Sequence, residues 1–312
     1  MKKTIWVGSR KSRLALRQAE AVLQRLRVQW SEIDFRLKGI VTEGDRDPVP
    51  GASGRDVSSA GLFTRGIEKA LLDGRIDLAV HSAKDLPTKL LDGLSIGAVP
   101  ERGETRDAWI SSRGIFFRDL PPGAAVGTSS LRRKAQILST GKDIRVISVR
   151  GNVDTRLRKL KEGISDGLIL AACGLERLGL ADAITELLDA GQFPPAAGQG
   201  ALAVEIRAKD SFAFEMVRSL NHRDSFLSVQ AERILLAELE GGCQVPLGIS
   251  SRVSGGRLGI RAVLYSPDGL KRIEGEIEGE KDEAERLGKK LAERLIQNGG
   301  QAILREIRGR NG

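Results

Sequence analysis

Short apolar runs alternate with amphipathic stretches over the first two-thirds of the chain. Thr4–Gly8 predicts a short strand, and Ser12 opens a helix to about Arg27 with Leu14, Leu16, Ala19, Val22, Leu23 and Leu26 on its apolar side. Phe35–Val41 predicts the next strand. Thr42–Ala60, rich in Gly, Asp, Ser and Pro, predicts a mobile loop. Leu62–Asp73 is helical in pattern with Gly74 as its stop, and Ile76–Val80 is a buried-type strand that delivers His81-Ser-Ala-Lys-Asp-Leu-Pro87. Ala124–Val126, Ile144–Val149 and Leu168–Ala171 each hand over to a helix, the first about Ser130–Leu138 and the second ending near Lys161. Ala201–Ile206 predicts one more buried strand. Such alternation predicts α/β layers around a largely parallel sheet, with ligands gathering at the carboxyl ends of the strands.

The pattern changes after residue 220. A helix over Asp224–Glu240 precedes three short strands, Leu247–Val253, Leu258–Tyr265 and Leu270–Glu278. Gly255-Gly256 and Ser266-Pro-Asp-Gly269 supply the turns between them. A charged amphipathic helix over about Lys281–Gln297, closed by Gly299-Gly300, completes a small α+β domain, and Cys243 sits at its entry.

Composition narrows the partners. The 312 residues provide for two or three domains, and 40% hydrophobic with 29% charged residues is ordinary for a globular protein. No apolar run reaches the roughly 18 residues that span a bilayer. The basic start Met1–Gly8 has no signal-like apolar core, so the expected compartment is the cytoplasm. Fifty Lys+Arg against 41 Asp+Glu leave a net charge of +9, which points to an anionic partner. Aromatics at 4% are too few for base-stacking platforms, so a small polyanion is expected and nucleic acid is not. Cys173 and Cys243 lack CxxC neighbours, so neither zinc nor any other metal is expected; Cys173 follows an apolar run and reads as a buried small hydrophobe.

Several chemistries fall away: the chain has no GxxxxGK[ST] loop and no GxSxG elbow, and only His81 and His222 could serve a Cys–His or Ser–His pair. Cys243 follows a helix carboxyl end, where the dipole raises a thiol pKa, so it does not read as a primed thiolate. The positive signal is at the strand-to-helix junctions. Val126-Gly-Thr-Ser-Ser-Leu-Arg-Arg133 places hydroxyls and free N–H groups at a helix start, and Arg132 and Arg133 oppose the dipole there. Val149-Arg-Gly-Asn-Val-Asp-Thr-Arg156 and Gly8-Ser-Arg-Lys-Ser12 repeat the theme. These arginines read either as solvated surface or as carboxylate and phosphate clamps. Asp85 reads either as a turn-capping residue or as an acid–base carboxylate that stabilises a developing cation. His81 reads as a strand-end residue satisfied by its neighbours, and His222 as a helix-cap residue.

Arg10-Lys-Ser-Arg-Leu-Ala15, Thr42-Glu-Gly-Asp45, His81–Pro87, Val126–Arg133, Arg150-Gly-Asn152 with Thr155-Arg156, Gly198-Gln-Gly200 and Leu239–Pro246 together resemble porphobilinogen deaminases (hydroxymethylbilane synthases), in order from about residue 4 to the carboxyl terminus. The resemblance implies a transferase that joins four porphobilinogen units head to tail into hydroxymethylbilane, releasing ammonia, on a dipyrromethane cofactor tethered by a thioether to Cys243. It implies Asp85 as the catalytic carboxylate. Ser82, Lys84, Thr128, Ser129, Ser130, Arg132, Arg133 and Arg156 would hold the cofactor. Arg10, Ser12, Gln18, Arg150, Arg156, Arg177 and Gln199 would hold substrate and the growing pyrrole chain. The implied fold is two α/β domains resembling periplasmic binding proteins, 1–100 with 200–219 and 105–195, flanking an active cleft. The α+β domain 222–312, with its three-stranded antiparallel sheet, would carry the cysteine. A cytoplasmic monomer is the implied state. Two positions depart from the family pattern: Ala60 stands where a lysine usually precedes Gly-Leu-Phe, and Asp154 adds a carboxylate between Arg150 and Arg156. The rival reading is a non-catalytic, two-lobed binder of small anions.

Overall fold

The computed structural model describes residues 3–42, 64–239 and 245–311. By contact the chain divides into two compact units, one of residues 1–102 with 201–229 and the other of residues 103–200 with 230–312.

The first unit is built on a five-stranded sheet. Its strands are β1 (Thr4–Arg10), β2 (Asp34–Ile40), β3 (Leu78–Ser82), β4 (Leu94–Ala98) and β10 (Leu202–Arg207), in the order β2-β1-β3-β10-β4. β1 runs parallel to β2 and β3, whereas β10 runs antiparallel to both its neighbours. The returning strand is therefore the exception in an otherwise parallel sheet. Strand alternation sorts side chains to two faces. Leu78 and Val80 pack toward helices α1 (Arg13–Gln29) and α6 (Ser211–Arg218), with Leu23, Leu26, Met216 and Val217 in the same buried cluster. Ala79 faces the other way, into a cluster with Ile67, Ala70 and Leu71 of α2 (Arg65–Leu72). α1 forms where the apolar spacing places it, and Ser12 caps it by accepting from the Ala15 N–H at 3.3 Å.

The second unit repeats the plan. Strands β5 (Asp107–Ser111), β6 (Ala124–Gly127), β7 (Ile144–Ile147), β8 (Gly167–Ala171) and β9 (Glu186–Leu187) lie in the order β7-β6-β8-β5-β9, with β5 antiparallel to β8 and β9. Helices α3 (Leu131–Ser139), α4 (Val153–Lys161) and α5 (Ala172–Arg177) follow β6, β7 and β8. Trp109, Phe117 and Phe193 stack edge to face in one core, and Gly167 leaves room for the Trp109 ring, which a Cβ there would meet at 2.1 Å. Also in this unit is an antiparallel meander of β11 (Leu247–Ser254), β12 (Arg257–Tyr265) and β13 (Arg272–Glu280), against which α8 (Ala284–Leu295) buries Leu287, Leu291 and Leu295. α7 (Arg223–Glu238) precedes the meander.

The pattern-based expectations hold for most elements but miss β4, β5, β9, α6 and α9 (Gln301–Asn311). Gly299-Gly300 does break a helix, Gly299 adopting φ +106°, but the chain turns there and resumes as α9 instead of ending. No helix of the described residues is long and apolar enough to cross a membrane.

Candidate active site

Two clusters of the expected residues form, one in each unit. In the first, β1 ends on Arg10 and β3 ends on Ser82, followed by a single 3₁₀ turn, Ala83–Asp85. Parallel β1 and β3 thus deliver Arg10 and Asp85 to the same sheet edge, and Arg10 Nη1 lies 3.9 Å from Asp85 Oδ2. The buried Gln18 of α1 accepts from Ser82 Oγ at 3.1 Å, tying the helix to the strand end. A small pocket opens here, lined by Arg10, Ser12, Gln18, His81, Ser82 and Asp85 among others. Asp85 keeps 35% of its side chain exposed, so its carboxylate is held by a cation and remains reachable. Lys84 lies within the same turn.

In the second unit the junction after β6 is more deeply built than its sequence suggests. Ser130 caps α3, accepting from the Arg133 N–H at 3.4 Å, while Thr128 Oγ1 accepts from the Ser130 N–H at 3.2 Å. Ser129 Oγ lies 3.3 Å from Ser148 Oγ. Arg132 and Arg133, expected to face a ligand because they oppose the helix dipole, are both buried around Asp107, which is fully buried at the start of β5. Arg133 Nη2 donates to Asp107 Oδ1 at 2.7 Å and its Nη1 to the Ile169 carbonyl at 3.0 Å. Arg132 Nη2 forms an ion pair with Asp107 Oδ2 at 2.9 Å, outside hydrogen-bonding geometry, and its Nη1 donates to Pro194 O and Gln136 Oε1. The dipole misfit is thus answered partly from within the protein. Burial alone would raise the Asp107 carboxyl, but the two guanidiniums and the hydrogen bonds from Arg133 and Gln199 outweigh it and hold the group well below the usual carboxylate range.

Gln199 joins this cluster, its Nε2 donating to Asp107 Oδ1 at 2.8 Å and to the Thr105 carbonyl at 2.7 Å. The glycines beside it have backbone reasons. Gly198 has φ +70° and donates to Glu232 Oε2; Gly200 has φ +86° and presses within 2.6 Å of the Gly103 carbonyl where a Cβ would stand. Arg177 Nη2 donates to the Gly200 carbonyl at 2.6 Å. At the start of α4, Asn152 is the cap, Arg156 Nε donates to the Gly151 carbonyl, and exposed Arg150 gives its carbonyl to Lys159 Nζ. Asp154 lies in that first turn, where a carboxylate suits the helix dipole. Cys243, Ala60 and most of the Thr42–Ala60 segment lie outside the described residues.

The sequence reading missed Asp107, although a charged residue opening the apolar run Ala108-Trp-Ile110 was a signal. It also missed Glu68 and Glu205, single carboxylates on otherwise apolar stretches, both buried.

Residues 5–215 match the family model described as porphobilinogen deaminase, dipyromethane cofactor binding domain, and residues 226–297 match the model of the porphobilinogen deaminase C-terminal domain. The chain is 47% identical to the porphobilinogen deaminase of Desulforudis audaxviator over 99% of both proteins. It is 47% identical to that of Thermus thermophilus over 98% of this chain and 100% of the relative. The chain belongs to the porphobilinogen deaminase family. It is accordingly a transferase of tetrapyrrole biosynthesis whose cofactor is dipyrromethane. Among solved structures, a TRAP periplasmic solute-binding protein from Desulfovibrio salexigens aligns over 74% of each chain at 10% identity with a TM-score of 0.45.

The second-unit cluster fits that cofactor. Two buried guanidiniums share one internal counter-charge, Asp107, leaving a net positive charge, and the Nε of each arginine has no acceptor among the described residues. A buried donor without an acceptor is costly, and a ligand carboxylate would supply one.

Proposed function

We propose that Asp85 is the carboxylate at the reacting centre of this deaminase and that Cys243 is the thioether anchor of its dipyrromethane. Bound there, the cofactor supplies the growing point on which porphobilinogen units are assembled into hydroxymethylbilane. The observation that carries the reading is Asp85, held 3.9 Å from Arg10 and still reachable, in a pocket whose other walls combine hydroxyls, an amide and an imidazole with the apolar Leu14, Ala15 and Val80. A carboxylate so placed serves the proton transfers of ammonia loss and stabilises positive charge developing on the substrate.

Arg132 and Arg133 hold a cofactor carboxylate, with Thr128, Ser129, Ser130, Ser82, Lys84 and Arg156 completing the cofactor contacts. Arg10, Ser12, Gln18, Arg150, Arg156 and Arg177 receive the acetate and propionate groups of substrate and product, whereas Gln199, expected to join them, has its amide N–H groups turned to Asp107 and the Thr105 carbonyl and serves to position that cluster. The excess of nine positive charges supports an anionic, carboxylate-rich ligand. The electrophile formed from substrate captures even an unactivated thiol, so Cys243 needs no lowered pKa. A cytoplasmic monomer without nucleic-acid partners completes the proposal. So does the partition into domains 1–100 with 200–219, 105–195 and 222–312, supported by the three separate sheets.

Intact mass and steady-state turnover test the assignment. Cys243→Ala should give folded protein without the dipyrrole mass increment. Asp85→Asn should keep the increment but lose about 10²-fold or more in kcat, the range of general acid–base contributions. An increment still present in Cys243→Ala, or wild-type turnover in Asp85→Asn, refutes the corresponding role.

A further inference from the structure

Beneath the Asp85 pocket lies a titratable cluster that the proposed chemistry does not use. β10 runs antiparallel beside β3 with Ala203 opposite His81, so Glu205, two residues on, falls on the same face as the imidazole. His81 Nε2 is 3.0 Å from Glu205 Oε2, and the two side chains are 3% and 0% exposed. Glu68 approaches from α2, its Oε2 accepting from Thr64 Oγ1 at 3.1 Å. Glu68 Oε1 and Glu205 Oε1 are both buried and have no hydrogen-bond partner among the described residues. His81 lines the pocket with Arg10 and Asp85.

Two buried carboxylates and one imidazole cannot all be ionised without leaving a net negative charge out of water, which is expensive. Burial first, and then repulsion from Glu205, raise the Glu68 carboxyl against the opposing pull of Thr64 and His81. A neutral Glu68 carboxyl beside an ionised His81–Glu205 pair is an arrangement of these three groups that carries no net charge. The groups facing His81 are then Glu205 from β10, Glu68 from α2, Arg10 from the end of β1, and Asp85 from the following turn.

We propose that His81 is a second proton-exchanging group of the Asp85 pocket, oriented by Glu205, with Glu68 as the positioning residue behind the pair. The imidazolium gives its proton to the departing amine nitrogen of porphobilinogen; the carbon–nitrogen electron pair leaves with that nitrogen as ammonia. The proton released when the new carbon–carbon bond forms returns to the imidazole, so the cluster ends each addition as it began. The proposal rests on the placement of chemistry at Asp85, yet it fails separately from it.

The experiment compares His81→Gln, Glu205→Gln, Glu68→Gln and Asp85→Asn as holoenzymes, each first shown by mass to carry its dipyrromethane. kcat and KM for porphobilinogen are measured across pH, and infrared difference spectra record protonated carboxyl groups. His81→Gln and Glu205→Gln should each lower kcat by about 10²-fold with KM changed less than about threefold, and flatten one limb of the kcat–pH profile. Glu68→Gln, which keeps a neutral donor, should abolish a protonated-carboxyl band. Wild-type kcat and pH profile in His81→Gln, or in Glu205→Gln should the first not fold, overturn the proposal. So does a protonated-carboxyl band unchanged in Glu68→Gln. Wild-type turnover in Asp85→Asn with loss in His81→Gln would instead overturn the role of Asp85 and leave that of His81.

Discussion

Asp107→Asn removes one charge from a deeply buried ionic cluster while preserving side-chain size. Asp107 is fully buried, contacts Arg133 at 2.7 Å and Arg132 at 2.9 Å, and accepts from Gln199 at 2.8 Å. Asparagine can still accept on one side, but its amide N–H₂ would face either a guanidinium or the Gln199 amide, donor against donor. Two guanidiniums would then share a dry site without a counter-charge. Removing one partner of a buried ion pair costs about 3–5 kcal/mol. For a unit of this size each kcal/mol lowers Tm by about 2–4 °C, so a fall of about 10 °C is expected. Thermal unfolding measured in a Cys243→Ala background excludes stabilisation by bound cofactor. The pH dependence gives an independent check. The Asp107 carboxyl is depressed in the folded state, so its stabilisation is complete above the ordinary carboxylate range and disappears as pH falls through the folded-state value. Asp107→Asn should therefore flatten the acid limb of the stability curve as well as lower its plateau. A variant melting within about 1 °C of its parent at neutral pH would refute the reasoning.

Two further outcomes follow from local geometry. Gly200→Ala forces a Cβ to within 2.6 Å of the Gly103 carbonyl and 2.9 Å of the Glu104 carbonyl at φ +86°; a loss of about 1–3 kcal/mol in denaturant unfolding is expected, with reduced cofactor retention because Gln199 is its neighbour. Glu68 has the opposite linkage from Asp107: its raised folded-state carboxyl binds a proton that the unfolded chain has released, so wild-type stability falls as pH rises from the ordinary carboxylate range toward the raised value. Glu68→Gln should remove that decline, which chemical denaturation at a series of pH values would detect.

Much of the architecture was legible because it depends on local periodicity. The apolar face of α1, the Ser12 cap, the buried run of β3 and the turn-punctuated meander β11–β13 are each encoded within a few residues of themselves. The expected hydroxyls at the β6–α3 junction were also found capping, because a helix start needs acceptors whatever surrounds it. The missed elements had weaker local signals. β5 follows a charged stretch, and α6 carries two phenylalanines that are partly exposed, although Asp210 caps it by accepting from Ala213.

What the sequence determined alone was the order of strands and helices and the ordered motif set that marks the family, since both are written along the chain. It could not state which carboxylate answers which cation. Asp107 meets Arg132 and Arg133 across more than 20 residues, and His81 meets Glu205 across 124. Those partnerships arise only when an antiparallel strand is inserted between parallel ones, bringing distant residues into one dry layer. There a charge must find its counterpart or give up its ionisation, and the sheet topology decides which partner is within reach.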